Sequence, residues 1–117
     1  METMMGNRRQ VQRFNLRLNL RYRVSEKGIE HRWSSGTTRD LSREGLGIKP
    51  RRALSVGSHI EIRIDWPARY ESVHPVELQI TGFVIRSENG RAAVRISSHR
   101  FLVQQDGVDA QQLGKTA

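Results

Sequence analysis

The chain has 117 residues, no cysteine and a formal net charge of +8. The length fits one compact domain with a modest core, and the absence of cysteine excludes disulfides, thiol nucleophiles and thiolate metal sites. The charge lies in the first half, because residues 1–52 hold 13 basic and 5 acidic residues whereas residues 53–117 hold 7 of each.

The first predicted strand follows an arginine-rich segment at residues 8–14. From Leu16 to Val24, apolar residues alternate with polar ones, which is the period of a strand with one buried face. Arginine recurs at positions 9, 13, 17 and 21, but a helix would place Leu16 and Leu18 on opposite sides. We therefore predict a flexible arm at residues 8–14 that runs into a strand with outward arginines.

The next elements are shorter. Residues 25–28 predict a turn, residues 29–33 a second strand and residues 34–36 a break in the chain. Residues 37–50 predict two strands joined by a tight turn at Ser42–Gly45, with Pro50 ending the second strand.

A clear alternation follows between Gly57 and Pro67. It predicts a strand with four inward side chains, namely Ile60, Ile62, Ile64 and Trp66. Pro67 is expected to end this strand, and residues 67–75 are expected to form a loop.

The last predicted elements form a hairpin. Residues 76–88 predict a long strand with apolar residues in both phases around Gly82, which indicates a bulge or bend there. Asn89-Gly90 is a strong hairpin signal, and residues 91–97 return as a strand with Ala92, Val94 and Ile96 inward.

About six short strands and almost no helix predict an all-β fold, either an antiparallel barrel or an antiparallel sandwich. Parallel units would need helical crossovers, and closure of a barrel removes exposed edges. We assign residues 1–7 to a disordered N-terminus, residues 8–103 to the barrel domain with its arm at residues 8–14, and residues 104–117 to a tail or short C-terminal helix.

The most specific local pattern is Asp-x-Ser-x-x-Gly, formed by Asp40, Ser42 and Gly45 in the turn between two predicted strands. Chance would give it about 0.03 times in a chain of this composition. A purely structural interpretation is also open, in which Asp40 and Ser42 bond nearby backbone and Gly45 supplies a positive φ. The pair Arg9 and Arg13, of the form Arg-x-x-x-Arg, is informative only together with this motif.

Together, the two motifs resemble those of the PilZ domain family, and the likeness extends over about residues 8–100. The resemblance implies a six-stranded antiparallel barrel that binds the bacterial second messenger cyclic di-GMP, with the arginine segment closing over the ligand. The implied ligand-binding residues are Arg9, Arg13, Asp40, Ser42 and Gly45. Arg8, Arg43 and Trp33 are additional candidates.

The chemistry of these residues suits that ligand, which carries two phosphodiester charges and two guanines. Arginine pairs with phosphate oxygens or with guanine O6 and N7, and it also stacks on base planes. Asp40 offers acceptors for the donors on guanine N1 and N2, Ser42 adds a hydroxyl, and Gly45 lets the backbone approach closely.

We therefore predict a cyclic di-GMP receptor or adaptor that changes conformation on binding and signals to a protein partner. The alternative is a basic β-barrel that binds nucleic acid, which is less favoured because the seven aromatic residues are scattered. We expect no enzymatic activity, metal or cofactor, since no nucleophile with a base, phosphate-binding glycine loop or metal-ligand spacing is present. Without a secretion signal or an apolar run of about 20 residues, we expect a cytoplasmic protein with no membrane span.

Overall fold

The computed structural model describes residues 12–71 and 73–104, and within these ranges the chain is all β. The strands pair antiparallel throughout. Seven strands occur in the described residues: β1 Asn19–Glu26, β2 Ile29–Glu30, β3 Ser34–Leu41, β4 Gly45–Pro50, β5 His59–Tyr70, β6 His74–Glu88 and β7 Arg91–Val103.

Six of these strands close into a barrel. Their order is β1-β3-β4-β7-β6-β5, and β1 pairs again with β5 to complete the ring. The short β2 is an extra strand that pairs with Ser25 and Glu26 of β1. At the closing seam, the Arg23 guanidinium donates to the Glu61 carboxylate at 2.6 and 2.9 Å. The predicted six-stranded antiparallel barrel is confirmed.

Alternate residues of the strands fill the barrel. Each buried branched side chain stabilises the fold by about 1.5 to 3 kcal/mol relative to exposure. As predicted, Ile60, Ile62 and Ile64 are buried, whereas Trp66 is only partly buried at the edge of the core. The core comprises Leu20, Tyr22, Val24, Leu46, Ile48, Ile60, Ile62, Ile64, Leu78, Ile80, Val84, Ala92 and Val94.

Two predicted features of the β6–β7 hairpin are confirmed. Asn89 and Gly90 have φ values of 56° and 74°, which is the double positive φ of a type I′ turn. The register of β6 shifts between Thr81 and Gly82, and a Cβ on Gly82 would overlap the backbone carbonyl of Arg95. Glycine is therefore needed where the two strands approach each other at this irregularity.

Several predicted boundaries are wrong. Residues 34–36 are not a break but the start of β3, where a Cβ on Gly36 would come within 2.7 Å of the Lys49 carbonyl oxygen. The strand predicted at residues 29–33 is limited to Ile29–Glu30. Pro67 does not end β5, because the strand crosses an irregularity after Trp66 and continues to Tyr70, which shortens the predicted loop at residues 67–75.

The first strand also begins later than predicted, at Asn19, and its turn is formed by Lys27 and Gly28 with φ values of 51° and 81°. The strand β7 extends to Val103, beyond the predicted limit at residue 97. The expectations for residues 1–7 and for the tail after Gln104 fall outside the described residues.

Candidate functional site

The segment that precedes β1 is fixed to β3. Phe14 and Leu41 exchange two backbone hydrogen bonds, with N–O distances of 2.8 and 2.9 Å. The buried Thr38 hydroxyl accepts a hydrogen bond from the Leu18 amide at 2.9 Å and donates one to the carbonyl of Leu16. These hydrogen bonds fix the chain that follows Arg13 against β3.

A bulge in β3 turns Asp40 to the outside of the barrel. Thr38 pairs with Ile48 and Asp40 pairs with Gly47, so Arg39 is an extra residue on its strand. Thr38 and Ile48 are buried, whereas Gly47 lies between two buried residues of β4 and so faces outward. Its partner Asp40 lies on the same outer face.

Arg13 and Asp40 meet on this face although they are 27 residues apart. Arg13 Nη2 donates to Asp40 Oδ1 at 3.1 Å, and the two side chains are 52% and 25% exposed. A Cβ on Gly47 would overlap Oδ1 of Asp40 and lie 3.2 Å from its Cγ, so only glycine leaves the carboxylate in this place. An exposed pair of this kind contributes at most about 1 kcal/mol, so a ligand can replace either partner.

The pair borders an open cleft of about 490 Å³ on the outer face of the barrel. Gly47 of β4 and Ala93 of β7 pair across the floor of this cleft, and neither carries a large side chain. Four arginines and two carboxylates are among the residues lining it, which leaves an excess of two positive charges. The polar lining residues are Arg13, Arg39, Asp40, Arg86, Glu88, Asn89 and Arg91.

Ser42 and Gly45 shape the turn that follows Asp40 and do not line the cleft. The Ser42 amide donates to the Gly45 carbonyl at 2.9 Å, and the Gly45 amide donates to Ser42 Oγ at 3.1 Å. The expected positive φ at Gly45 is wrong. Glycine is favoured there by a close approach, since a Cβ would lie 3.3 Å from the Val94 carbonyl oxygen.

The remaining predicted site residues either lie outside the described residues or do not line the cleft. Arg8 and Arg9 lie outside the described residues. Arg43 is exposed in the turn and does not line the cleft, whereas Arg39, the extra residue at the bulge of β3, does.

Trp33 lies on another part of the outer face and is not among the residues lining the cleft. Its ring centre is 4.7 Å from the guanidinium carbon of Arg23, 4.8 Å from that of Arg63 and 5.8 Å from that of Arg21. Trp33 therefore packs against arginines of β1 and β5.

The sequence patterns do not predict Gly47, Arg86, Glu88 and Arg91 as residues of the cleft. The available signal for Gly47 was its place two residues after Gly45 in a strand, where glycine indicates a close approach. No pattern in the sequence indicates that Arg86 lines the cleft, because its position depends on how β6 pairs with β7.

Within residues 12–71 and 73–104, no three His, Cys, Asp or Glu side chains are grouped so that they could hold a metal ion. The same part of the chain contains no helix with the length and apolar character needed to cross a membrane.

The fold and the cleft define a small β-barrel domain with a basic cleft on its outer face. A family model described as PilZ domain matches residues 7–114, and the chain belongs to this family of cyclic di-GMP receptors. The crystal structure of the PilZ domain of CeSA from a cellulose synthesizing bacterium is similar, with a TM-score of 0.55 and 21% identity over 86% of each chain. This likeness supports the fold.

The comparison with curated proteins gives no match. Neither the family model nor the structural likeness supports the alternative of a nucleic-acid-binding barrel.

Proposed function

We propose that this protein binds cyclic di-GMP in the cleft beside Arg13 and Asp40. The observation that carries the proposal is the contact between these two residues, which joins the Arg-x-x-x-Arg segment to the Asp-x-Ser-x-x-Gly turn at the edge of the cleft. The excess of two positive charges in the cleft lining balances the two phosphodiester charges of the ligand.

Some of the site residues contact the ligand directly, and others hold the turn that positions them. Arg13 and Arg9 pair with phosphate oxygens or with the O6 and N7 edge of guanine. Asp40 accepts hydrogen bonds from guanine N1 and N2. Ser42 and Gly45 act indirectly, because their mutual hydrogen bonds hold the turn that follows Asp40.

Binding changes the conformation of the arm and thereby signals to a protein partner. Residues from Phe14 onward are already bonded to β3, so the change is confined to residues 7–13. The ligand holds these residues against the barrel, and the surface they form is what the partner recognises. In this role the protein is a non-enzymatic adaptor that needs no cofactor.

Calorimetric titration of cyclic di-GMP into wild type, Arg13→Ala and Arg17→Ala tests the site. A charge-assisted hydrogen bond contributes about 1.5 to 3 kcal/mol, so Arg13→Ala should weaken binding by roughly tenfold to a hundredfold. Arg17 is the matched control, because it is exposed, four residues further along and absent from the cleft lining. No heat with wild type, or equal affinities for wild type and Arg13→Ala, would contradict the proposal.

Amide hydrogen exchange on the same proteins tests the conformational part. Cyclic di-GMP should slow exchange in residues 7–13 of wild type and leave the amides of Phe14 and Leu18 unchanged, because these already donate to β3. If the ligand slows exchange elsewhere in the protein but not in residues 7–13, the arm does not close over the ligand.

A further inference from the structure

The cleft contains a straight row of residues that crosses four strands in register. Asp40 of β3 pairs with Gly47 of β4, Gly47 pairs with Ala93 of β7, and Ala93 pairs with Arg86 of β6. With strands about 4.8 Å apart, the backbones of Asp40 and Arg86 are separated by roughly 14 Å. The row therefore has a carboxylate at one end, a guanidinium at the other and small residues between them.

A second bulge brings Arg86 into this row. Val84 pairs with Val94 and Arg86 pairs with Ala93, so Ile85 is the extra residue of β6 at this point. Val84 is buried, and both Ile85 and Arg86 are exposed on the outside. The side chain of Arg86 lines the cleft that Asp40 and Arg13 border.

We propose that this row is a slot for one guanine of the ligand and that Arg86 is a specificity-determining residue. The base lies over Ala93, beside the Asp40 carboxylate that covers Gly47, where no large side chain keeps it from the backbone of β7. Asp40 accepts from guanine N1 and N2 at one end, and Arg86 donates to O6 and N7 from the other. This assignment rests on the proposed binding of cyclic di-GMP.

The chemistry of the two ends selects guanine over adenine. Guanine presents two acceptors, O6 and N7, on one edge and donors at N1 and N2 on another, so an arginine and a carboxylate can read both edges at once. Adenine keeps N7 as an acceptor but has a donor at N6 and an unprotonated N1 without an N2 amine, so Arg86 loses one of its two acceptors and Asp40 loses both of its donors. A bidentate arginine contact of this kind is sensitive to the loss of N7 alone.

The test compares cyclic di-GMP with its analogue in which carbon replaces N7 of both guanines, by calorimetry on wild type, Arg86→Ala and Arg95→Ala. Wild type should bind the analogue about tenfold more weakly. Arg86→Ala should bind cyclic di-GMP about tenfold more weakly and lose most of its discrimination between the two ligands. Arg95 is the matched control, because it is exposed on the same strand as Ala93 and does not line the cleft.

The outcomes separate this assignment from the receptor function. If wild type binds cyclic di-GMP but Arg86→Ala binds it equally well, the receptor function stands and the slot is overturned. If Arg86→Ala weakens both ligands by the same factor, Arg86 contacts a phosphate and its reading of the base is overturned. If wild type gives no heat with cyclic di-GMP, the receptor function fails and the slot fails with it. Unfolding midpoints equal to that of wild type confirm that the variants are folded.

Discussion

At the scale of single residues, Gly47 is the position where the candidate site most clearly requires glycine. Its φ is not positive, so the requirement comes from space and not from backbone conformation. The Asp40 carboxylate occupies the place that a side chain on residue 47 would take, and in that place it accepts from Arg13. Gly47 therefore leaves room for the Asp40 carboxylate and adds no side chain of its own to the candidate site.

The variant Gly47→Ala should lose ligand affinity and keep its stability. The added methyl group must displace the Asp40 carboxylate, which is the far end of a flexible side chain, so binding of cyclic di-GMP should weaken about tenfold while the free energy of unfolding changes by less than about 1 kcal/mol. Calorimetry and thermal unfolding measure the two effects.

Two comparisons check this explanation of Gly47. In an Asp40→Ala background, Gly47→Ala should cause no further loss of affinity, because the group it displaces is gone. A further loss would mean that the methyl group meets the ligand itself. Gly82→Ala should instead destabilise the fold by about 1 to 3 kcal/mol, because its methyl group would meet the backbone carbonyl of Arg95, which cannot rotate away.

The sequence predicts part of the candidate site and misses the rest for a geometric reason. Arg13 and Asp40 belong to recognisable motifs, and the structure brings them together. Gly47 and Arg86 join the same cleft only because bulges at Arg39 and Ile85 set which residues face outward. A local pattern cannot show cross-strand register, since a shift of one residue moves every side chain to the other face.

At the scale of strands, alternation predicts elements well where one face is buried. The regular alternation around Ile62 located β5, and the Asn89-Gly90 turn located the β6–β7 hairpin. The predictions of a break at Gly36 and of a strand end at Pro67 are wrong, because both residues lie within strands. Gly36 stands in β3 because the Lys49 carbonyl is too close for a side chain, and Pro67 is accommodated at an irregularity of β5.

The element that joins the arm to the barrel depends on Thr38. Its side chain is buried, accepts from the Leu18 amide and donates to the Leu16 carbonyl, so it satisfies two backbone groups of a segment that has no regular strand pairing. These bonds hold the chain along β3 immediately after Phe14. Thr38 therefore supports the segment that positions Arg13, together with the two backbone hydrogen bonds between Phe14 and Leu41.

The variant Thr38→Val should destabilise the protein by about 2 kcal/mol or more, because valine has nearly the same shape but leaves a buried donor and a buried acceptor unpaired. Denaturant unfolding measures the loss, and hydrogen exchange at the Leu18 amide should become faster. Thr81→Val is the matched control, since Thr81 bonds only another hydroxyl, that of Ser98, in an exposed pair on the outer face. Equal stabilities for the two variants would show that Thr38 does not support the arm.

At the scale of the whole molecule, the barrel gives the basic residues a fixed arrangement on its outside. Arg23 bonds Glu61 across the seam between β1 and β5, and Trp33 packs against arginines of the same two strands. These arginines are engaged in the fold, whereas Arg13 lies at the cleft together with Arg86. The net charge of +8 therefore overstates the charge that a ligand in the cleft meets.

Salt dependence distinguishes a bound dinucleotide from general attraction to nucleic acid. The two phosphodiester charges of the ligand meet the two excess charges of the cleft. Its affinity should therefore fall by no more than about tenfold when salt is raised from about 50 to 200 mM. An oligonucleotide that followed the basic surface with six or more phosphates would lose roughly a thousandfold over the same range. Calorimetry at several salt concentrations measures both, with cyclic di-AMP as the control because it carries the same two charges on different bases. A loss for cyclic di-GMP as steep as for the oligonucleotide, or equal affinities for the two cyclic dinucleotides, would mean that charge alone and not the cleft selects the ligand.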